Sequence, residues 1–133
     1  MENMEKIILD SDVLIDLLKN IPKTVEKIKA LKHDNELGTS DINAFELYLG
    51  AYKSRHQEKE LADVKGLLNT LFLTSTNEDS MEMAAKILAN LEKKGNPIAL
   101  RDLFIGSICL TNSFKLFTRN KKHFEKIEGL KLV

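Results

Sequence analysis

Hydrophobic residues occur along the chain in two patterns, short continuous runs and longer segments with helical spacing. The clearest short run extends from Ile7 to Leu9, and Asp10 follows it directly. Three apolar residues in a row are typical of a short strand that is buried on both faces of a sheet. Strand-like segments recur at residues 36–39, 72–74, 115–118 and 130–133. The pattern therefore predicts about five short strands.

Between these runs, apolar residues recur every three or four positions, as they do on one face of an amphipathic helix. Ile42, Phe45 and Leu49 have this spacing, after a helix cap at Ser40 or Asp41. The segment from about 100 to 112 is apolar on almost every side, which is typical of a buried helix. We count about seven helices. Their alternation with the strands predicts an α/β fold in which helices cover both faces of a mainly parallel central sheet.

The composition of the chain limits its domain count, its partners and its compartment, but does not indicate a function. The chain has 133 residues, a common size for one domain, so we expect a single domain spanning residues 1–133. Lysine plus arginine equals aspartate plus glutamate at 20 each, so net charge favours no particular partner. A single cysteine, Cys109, excludes internal disulfides and suits a reducing compartment. Because the sequence shows neither a signal-peptide pattern nor an apolar run of membrane-spanning length, we expect a cytoplasmic protein without membrane contact.

Three acidic residues stand at positions that the apolar pattern does not explain. Asp10 ends the first predicted strand, Glu46 lies at the edge of the third helix, and Asp102 opens the apolar face of the buried helix. Each has an ordinary explanation as a helix cap, a solvated glutamate or a first-turn acid that complements the helix dipole. For the first helix, which we expect to begin near residue 13, Ser11 and Asp12 are the predicted caps.

Taken together, the three acids predict a metal site. In an open parallel sheet, ligands bind beyond the carboxyl ends of the strands, where these side chains could converge. Converging carboxylates repel one another unless a cation lies among them. Mg²⁺ takes oxygen ligands and leaves places for phosphate oxygens, and Mn²⁺ is expected to substitute for it. The implied reaction is phosphodiester hydrolysis, because zinc motifs and phosphate-cradling glycine loops are missing from the sequence.

Basic residues crowd the last twenty positions of the chain. Such a run is usually a solvated face. Beside an acidic metal site it would instead contact a phosphate backbone without reading sequence. The candidates for contact with an RNA backbone are Arg119, Lys121 and Lys122.

Four segments, in order along the chain, resemble the PIN-domain nucleases, particularly the VapC-type toxins. They are Ile8–Asp16, Thr39–Ala51, Lys94–Ile105 and Phe117–Phe124. The resemblance implies a three-layer α/β/α fold with Asp10, Glu46 and Asp102 as catalytic and metal-binding residues. It also implies a magnesium-dependent endoribonuclease, usually a homodimer, that is the toxin of a toxin–antitoxin pair and is neutralised by a small antitoxin.

The resemblance extends to residues around the three acids and also shows two departures. Asp12, Ser40 and Thr118 look like residues that position the metal ligands or a water molecule. Asn120 stands at the fourth acidic position of the family and adds no charge, which leaves the number of metals open. Leu100 and Arg101 depart from the small or acidic residues that are common before Asp102. Either a contact with substrate or a balance of charge would explain Arg101.

Two other interpretations follow from the same residues. The segment from Asp10 to Asp12 also resembles the Asp-x-Asp motif of aspartyl-phosphate phosphatases, but Leu14 stands where Thr or Val is commoner and later paired acids are missing. The second is a PIN fold that has lost catalysis and serves as an RNA-binding or protein-interaction module. Asn120 favours this module, whereas the three retained acids favour activity.

Overall fold

The computed structural model describes residues 4–133, which form a four-stranded parallel sheet and seven helices. The strands are β1 (Glu5–Leu9), β2 (Asn35–Ser40), β3 (Phe72–Thr74) and β4 (Lys115–Phe117), and their order in the sheet is β3-β2-β1-β4. The helices are α1 (Ser11–Leu18), α2 (Pro22–Lys32), α3 (Asp41–Tyr52), α4 (Gln57–Leu68), α5 (Glu78–Lys93), α6 (Leu100–Asn112) and α7 (Lys121–Phe124). The predicted α/β class, parallel sheet and helix count are confirmed.

Strand β1 lies at the centre of the sheet because its side chains are apolar on both faces. Ile7 and Leu9 pack into a core formed with α1 to α4, whereas Ile8 packs into a second core formed with α6 and α7. In the sheet, Ile8 is paired with Gly38 of β2 on one side and with Leu116 of β4 on the other. The alternation of side chains along a strand thus produces the three-layer arrangement.

The predicted fifth strand is the one difference in strand count. Within the described residues, the segment 130–133 makes a single parallel bridge, between Leu132 and Leu116. The backbone N–H of Leu116 donates to Lys131 (2.9 Å), and that of Val133 donates to Leu116 (2.9 Å). The chain reaches this edge through a turn with Gly129 at φ +87°. Past that turn the chain pairs with β4 only at Leu116, so one bridge forms instead of a strand.

The connection between β1 and α1 is a single residue, Asp10. Helix α1 begins at Ser11, two residues earlier than predicted, and the Asp10 carboxylate accepts a hydrogen bond from the Ser11 N–H (2.8 Å). The expected cap at Ser11 or Asp12 is therefore wrong. Asp10 lies both at the carboxyl end of the central strand and at the amino end of a helix, where N–H groups favour negative charge.

Among residues 4–133, none of the helices combines the length and the apolar composition needed to cross a membrane.

Candidate active site

The three acids predicted from the sequence meet at the carboxyl edge of the sheet. Asp10 follows β1, Glu46 lies in the second turn of α3, and Asp102 lies in the first turn of α6. Asp10 is only 1% exposed and Asp102 4%, whereas the Glu46 side chain is 32% exposed. Two buried carboxylates and one more accessible carboxylate therefore line the same site.

A single guanidinium group joins the three carboxylates. Nη2 of Arg101 donates to Asp10 Oδ1 (2.8 Å) and to Glu46 Oε1 (2.7 Å), and Nε donates to Glu46 Oε2 (3.0 Å). Nη1 donates to Asp102 Oδ1 (2.8 Å). Of the two roles left open for Arg101, the structure shows the balance of charge.

The surroundings of Arg101 keep it positively charged. Burial acts to lower its pKa, but the hydrogen bonds with Glu46, Asp10 and Asp102 outweigh burial and raise the pKa above its usual value. Three ionised carboxylates against one guanidinium leave the cluster with a formal excess of two negative charges. An excess of this size in a partly buried site favours a cation that carries more than one positive charge.

A buried asparagine that sequence reasoning missed holds the cluster together. Asn43 has no exposed surface, and its Nδ2 donates to Asp10 Oδ1 (3.0 Å) and to Ser11 Oγ (2.9 Å). Its Oδ1 accepts from Ser40 Oγ (2.7 Å), so Ser40 supports Asp10 through Asn43. Ser11 Oγ in turn donates to Glu46 Oε1 (2.6 Å). A polar side chain one turn before Glu46 on the same helix was the available signal.

Thr118 and Asn120 contact the site from the segment after β4. Thr118 is buried, and its Oγ1 donates to Asp10 Oδ2 (2.7 Å). The backbone N–H of Asn120 donates to Thr118 Oγ1 (3.0 Å). Asn120 itself is exposed, so the described contact comes from its backbone rather than from its amide side chain. Asp10 is therefore positioned from α3 and from β4 at once.

Asp12 lies beside the site and binds the backbone around it. Its carboxylate accepts from the N–H of Val13 (2.7 Å) and from the N–H of Arg119 (2.9 Å). The Arg119 guanidinium is 3.9 Å from Asp12 and 3.4 Å from Asp16. Burial raises the pKa of Asp12, and the charge of Asp10 raises it further, against the two backbone hydrogen bonds. Asp12 thus fixes the segment after β4 against α1.

The basic residues predicted to contact a phosphate backbone lie on this same segment. Lys121 and Lys122 begin α7 and are exposed, and the Arg119 side chain is 60% exposed. His123, which sequence reasoning missed, is also exposed and places Nδ1 3.6 Å from Asp102 Oδ2. Arg119 approaches Asp12 and His123 approaches Asp102, so the exposed segment 119–123 runs next to the acidic cluster.

The donor atoms of the cluster fit a hard divalent ion. Asp10, Glu46 and Asp102 offer carboxylate oxygens, the ligands that Mg²⁺ and Mn²⁺ prefer. Among residues 4–133, however, these side chains are not grouped at metal-binding geometry as they stand. One oxygen of Asp10, one oxygen of Asp102 and both oxygens of Glu46 are hydrogen-bonded to Arg101 instead. The chemistry of the site suits a metal, and the guanidinium holds the oxygens that the metal would need.

Fold and site together define an α/β protein with an acidic centre at the carboxyl edge of a parallel sheet. A model of the PIN domain matches residues 7–130. The chain belongs to the PIN-domain family, which confirms the resemblance found in the sequence.

Relatives and solved structures resemble the chain over nearly its full length. Ribonuclease VapC1 from Methanocaldococcus jannaschii is 30% identical and aligns over 96% of this chain and 86% of its own. The tRNA(fMet)-specific endonuclease VapC from Salmonella typhimurium is 29% identical over 97% of both chains. A chain from the structure of DNA-bound VapBC from Salmonella typhimurium matches with a TM-score of 0.88 and 28% identity, over 98% of both chains.

Proposed function

We propose that this protein is a metal-dependent endoribonuclease and the toxin of a toxin–antitoxin pair. The observation that carries the proposal is the convergence of Asp10, Glu46 and Asp102 on one guanidinium group at the carboxyl edge of the sheet. The proposal is supported by relatives that are named ribonucleases and endonucleases. Phosphodiester hydrolysis is the reaction that suits a cluster of this charge and position.

In this proposal Asp10, Glu46 and Asp102 hold the divalent cation. Mg²⁺, or Mn²⁺ in its place, would supply an activated water and stabilise charge on the phosphate. Asn43 and Thr118 hold Asp10 in a fixed orientation, because each donates to a different oxygen of its carboxylate. Rigid support of this kind keeps metal ligands in place.

The RNA substrate is expected to approach from the open side of the cluster. Arg119, Lys121 and Lys122 are exposed on the segment after β4 and would contact phosphates of the RNA. Because the protein has no net charge, attraction of RNA depends on these local side chains and should weaken with added salt. Base specificity would need other contacts.

Protein partners are the further part of the proposal. Exposed apolar side chains on α3 provide a pairing surface for a homodimer, with Phe45 63%, Leu49 42% and Tyr52 59% exposed. A small antitoxin is proposed because the solved relative from Salmonella typhimurium is a VapBC complex. A cavity of about 380 Å³ next to Glu46, bordered by α1, α3 and α4, offers room for a segment of such a partner.

Cleavage of a mixed panel of structured and single-stranded RNAs tests the proposal. The wild type should cleave with Mg²⁺ or Mn²⁺ and lose activity with chelator. Asp10→Asn should lose activity by orders of magnitude, since each ~1.4 kcal/mol of lost barrier lowering is tenfold in rate. Asp34→Asn is the matched control, because Asp34 lies in an exposed turn away from the three acids.

Other outcomes identify the alternatives. Cleavage that survives in Asp10→Asn would show a contaminating nuclease. RNA binding without cleavage, under every metal condition, would favour the non-catalytic module instead.

A further inference from the structure

All three nitrogen atoms of the Arg101 guanidinium donate hydrogen bonds to the acidic cluster. Nε, Nη1 and Nη2 make four hydrogen bonds in total, two to Glu46 and one each to Asp10 and Asp102. Hydrogen bonds between charged groups are the strong ones, and planar pairing with a carboxylate adds geometric specificity. The guanidinium therefore acts as the resident cation of the site.

The position of Arg101 on helix α6 does not explain why a positively charged residue stands there. Arg101 is the second residue of α6, and positive charge is unfavourable near the amino end of a helix. The first backbone hydrogen bond of the helix, from Leu103 to Ala99 (3.0 Å), does not involve its side chain. The side chain is also 31% exposed. The guanidinium can therefore leave the acids by side-chain rotation while the helix keeps its backbone bonds.

We propose that Arg101 is a tethered competitor of the metal ion, an inference that rests on the proposed metal-dependent function. In the metal-free protein the guanidinium neutralises part of the charge of Asp10, Glu46 and Asp102. A divalent ion needs the same carboxylate oxygens, and two cations this close would repel one another. Metal binding therefore displaces the guanidinium, which otherwise occupies the ion's place among the three carboxylates.

Direct metal titration of Arg101→Met tests the inference without measuring activity. Methionine keeps an unbranched side chain of similar length but removes the charge and the four hydrogen bonds. Calorimetric titration with Mn²⁺ and with Mg²⁺ should show the dissociation constant falling by roughly tenfold or more, because the ion no longer has to displace bonds between charged groups. Arg55→Met is the matched control, since Arg55 is exposed in the turn between α3 and α4.

Thermal unfolding supplies a second readout. Without metal, Arg101→Met should melt below the wild type, because three carboxylates then face one another uncompensated. With saturating Mn²⁺ the difference in Tm between the two proteins should disappear, so the metal-induced rise in Tm is larger in the variant than in the wild type. Arg101→Lys keeps the charge without the planar fork and should fall between the two in affinity and in metal-free Tm.

Each remaining outcome has a defined meaning. If wild type and Arg101→Met bind Mn²⁺ equally, or if the variant binds more weakly, Arg101 does not compete and the inference fails while the metal site stands. If neither protein binds Mg²⁺ or Mn²⁺, the proposed function fails and the inference fails with it. Tight binding by the variant alone would support the competition directly.

Discussion

Asn43 shows how a single buried amide fixes the acidic cluster. It is fully buried, donates to Asp10 and Ser11, and accepts from Ser40. Asn43→Asp keeps the shape but replaces two donors with a carboxylate oxygen facing Asp10. We expect a loss of about 3 kcal/mol in the free energy of unfolding, because a buried charge is left facing a like charge. Urea denaturation at neutral pH measures the loss.

The matched control for this substitution is Asn96→Asp. Asn96 is exposed in the connection between α5 and α6, so the same chemical change should alter stability by no more than about 0.5 kcal/mol. A loss below about 1 kcal/mol in Asn43→Asp would show that the amide donors are dispensable.

At the residue scale, sequence reasoning could find the acids but not their partners. Asp10 and Asp102 stand out locally, because a carboxylate interrupts an apolar run or an apolar helix face. The contacts of Arg101 are different, since its partners Glu46 and Asp10 lie 55 and 91 residues away in the sequence. Local patterns contain no information about which cation reaches which acid. Asn43 was missed because its one local signal, a polar side chain one turn before Glu46, does not show which groups its amide contacts.

At the scale of elements, the packing of α6 against the end of the chain depends on Gly106. An added Cβ at this position would clash with Ile127 Cδ1, and Ile127 is itself 2% exposed. Gly106→Ala therefore forces a buried side chain to move, at a cost of about 1–3 kcal/mol. The gain in helix propensity offsets at most ~1 kcal/mol of this. Thermal and urea unfolding should show a net loss of stability.

Gly66 on α4 provides the opposite case. It is exposed, and an added Cβ would meet no atom within 4 Å apart from its chain neighbours and the adjacent backbone of its own helix. Gly66→Ala should raise the free energy of unfolding by about 0.4–1 kcal/mol, because alanine restricts the unfolded chain and favours the helix. Equal effects at Gly66 and Gly106 would contradict the close contact between α6 and Ile127.

Elements were predictable wherever one periodicity continued over several residues. The buried face of α6 and the apolar run of β1 were correct for this reason. The segment 130–133 has an equally strand-like sequence, yet it forms only one bridge. The length of a strand also depends on the direction that the chain takes after the preceding turn, which the sequence pattern does not show. The start of α1 was also misplaced, since one residue, Asp10, completes the strand-to-helix connection. Tertiary geometry decides such boundaries.

At the scale of the whole molecule, the rate at which Cys109 is alkylated reports how binding at the acidic site changes the stability of the whole fold. It is the only cysteine, it has no exposed surface, and it lies on α6, the helix that also contains Asp102. Burial raises the pKa of its thiol to about 12, with a further contribution from the charge of Asp10. The thiolate is the reactive form, so the folded protein should resist alkylation by iodoacetamide at pH 8. Reaction should require unfolding.

Metal binding should then slow the alkylation of Cys109. In mild urea, where unfolding and refolding are fast relative to alkylation, the observed rate follows the unfolded fraction. A ligand that binds only the folded protein lowers that fraction by the factor 1 + [L]/Kd, which is about a hundredfold when Mn²⁺ is present at 100 times its Kd. Mass spectrometry of the alkylated protein measures the rate, chelator should restore it, and glutathione serves as the control thiol. If the slowing is absent while calorimetry shows Mn²⁺ bound, Cys109 is exposed by a local opening of α6 that leaves the acidic cluster intact.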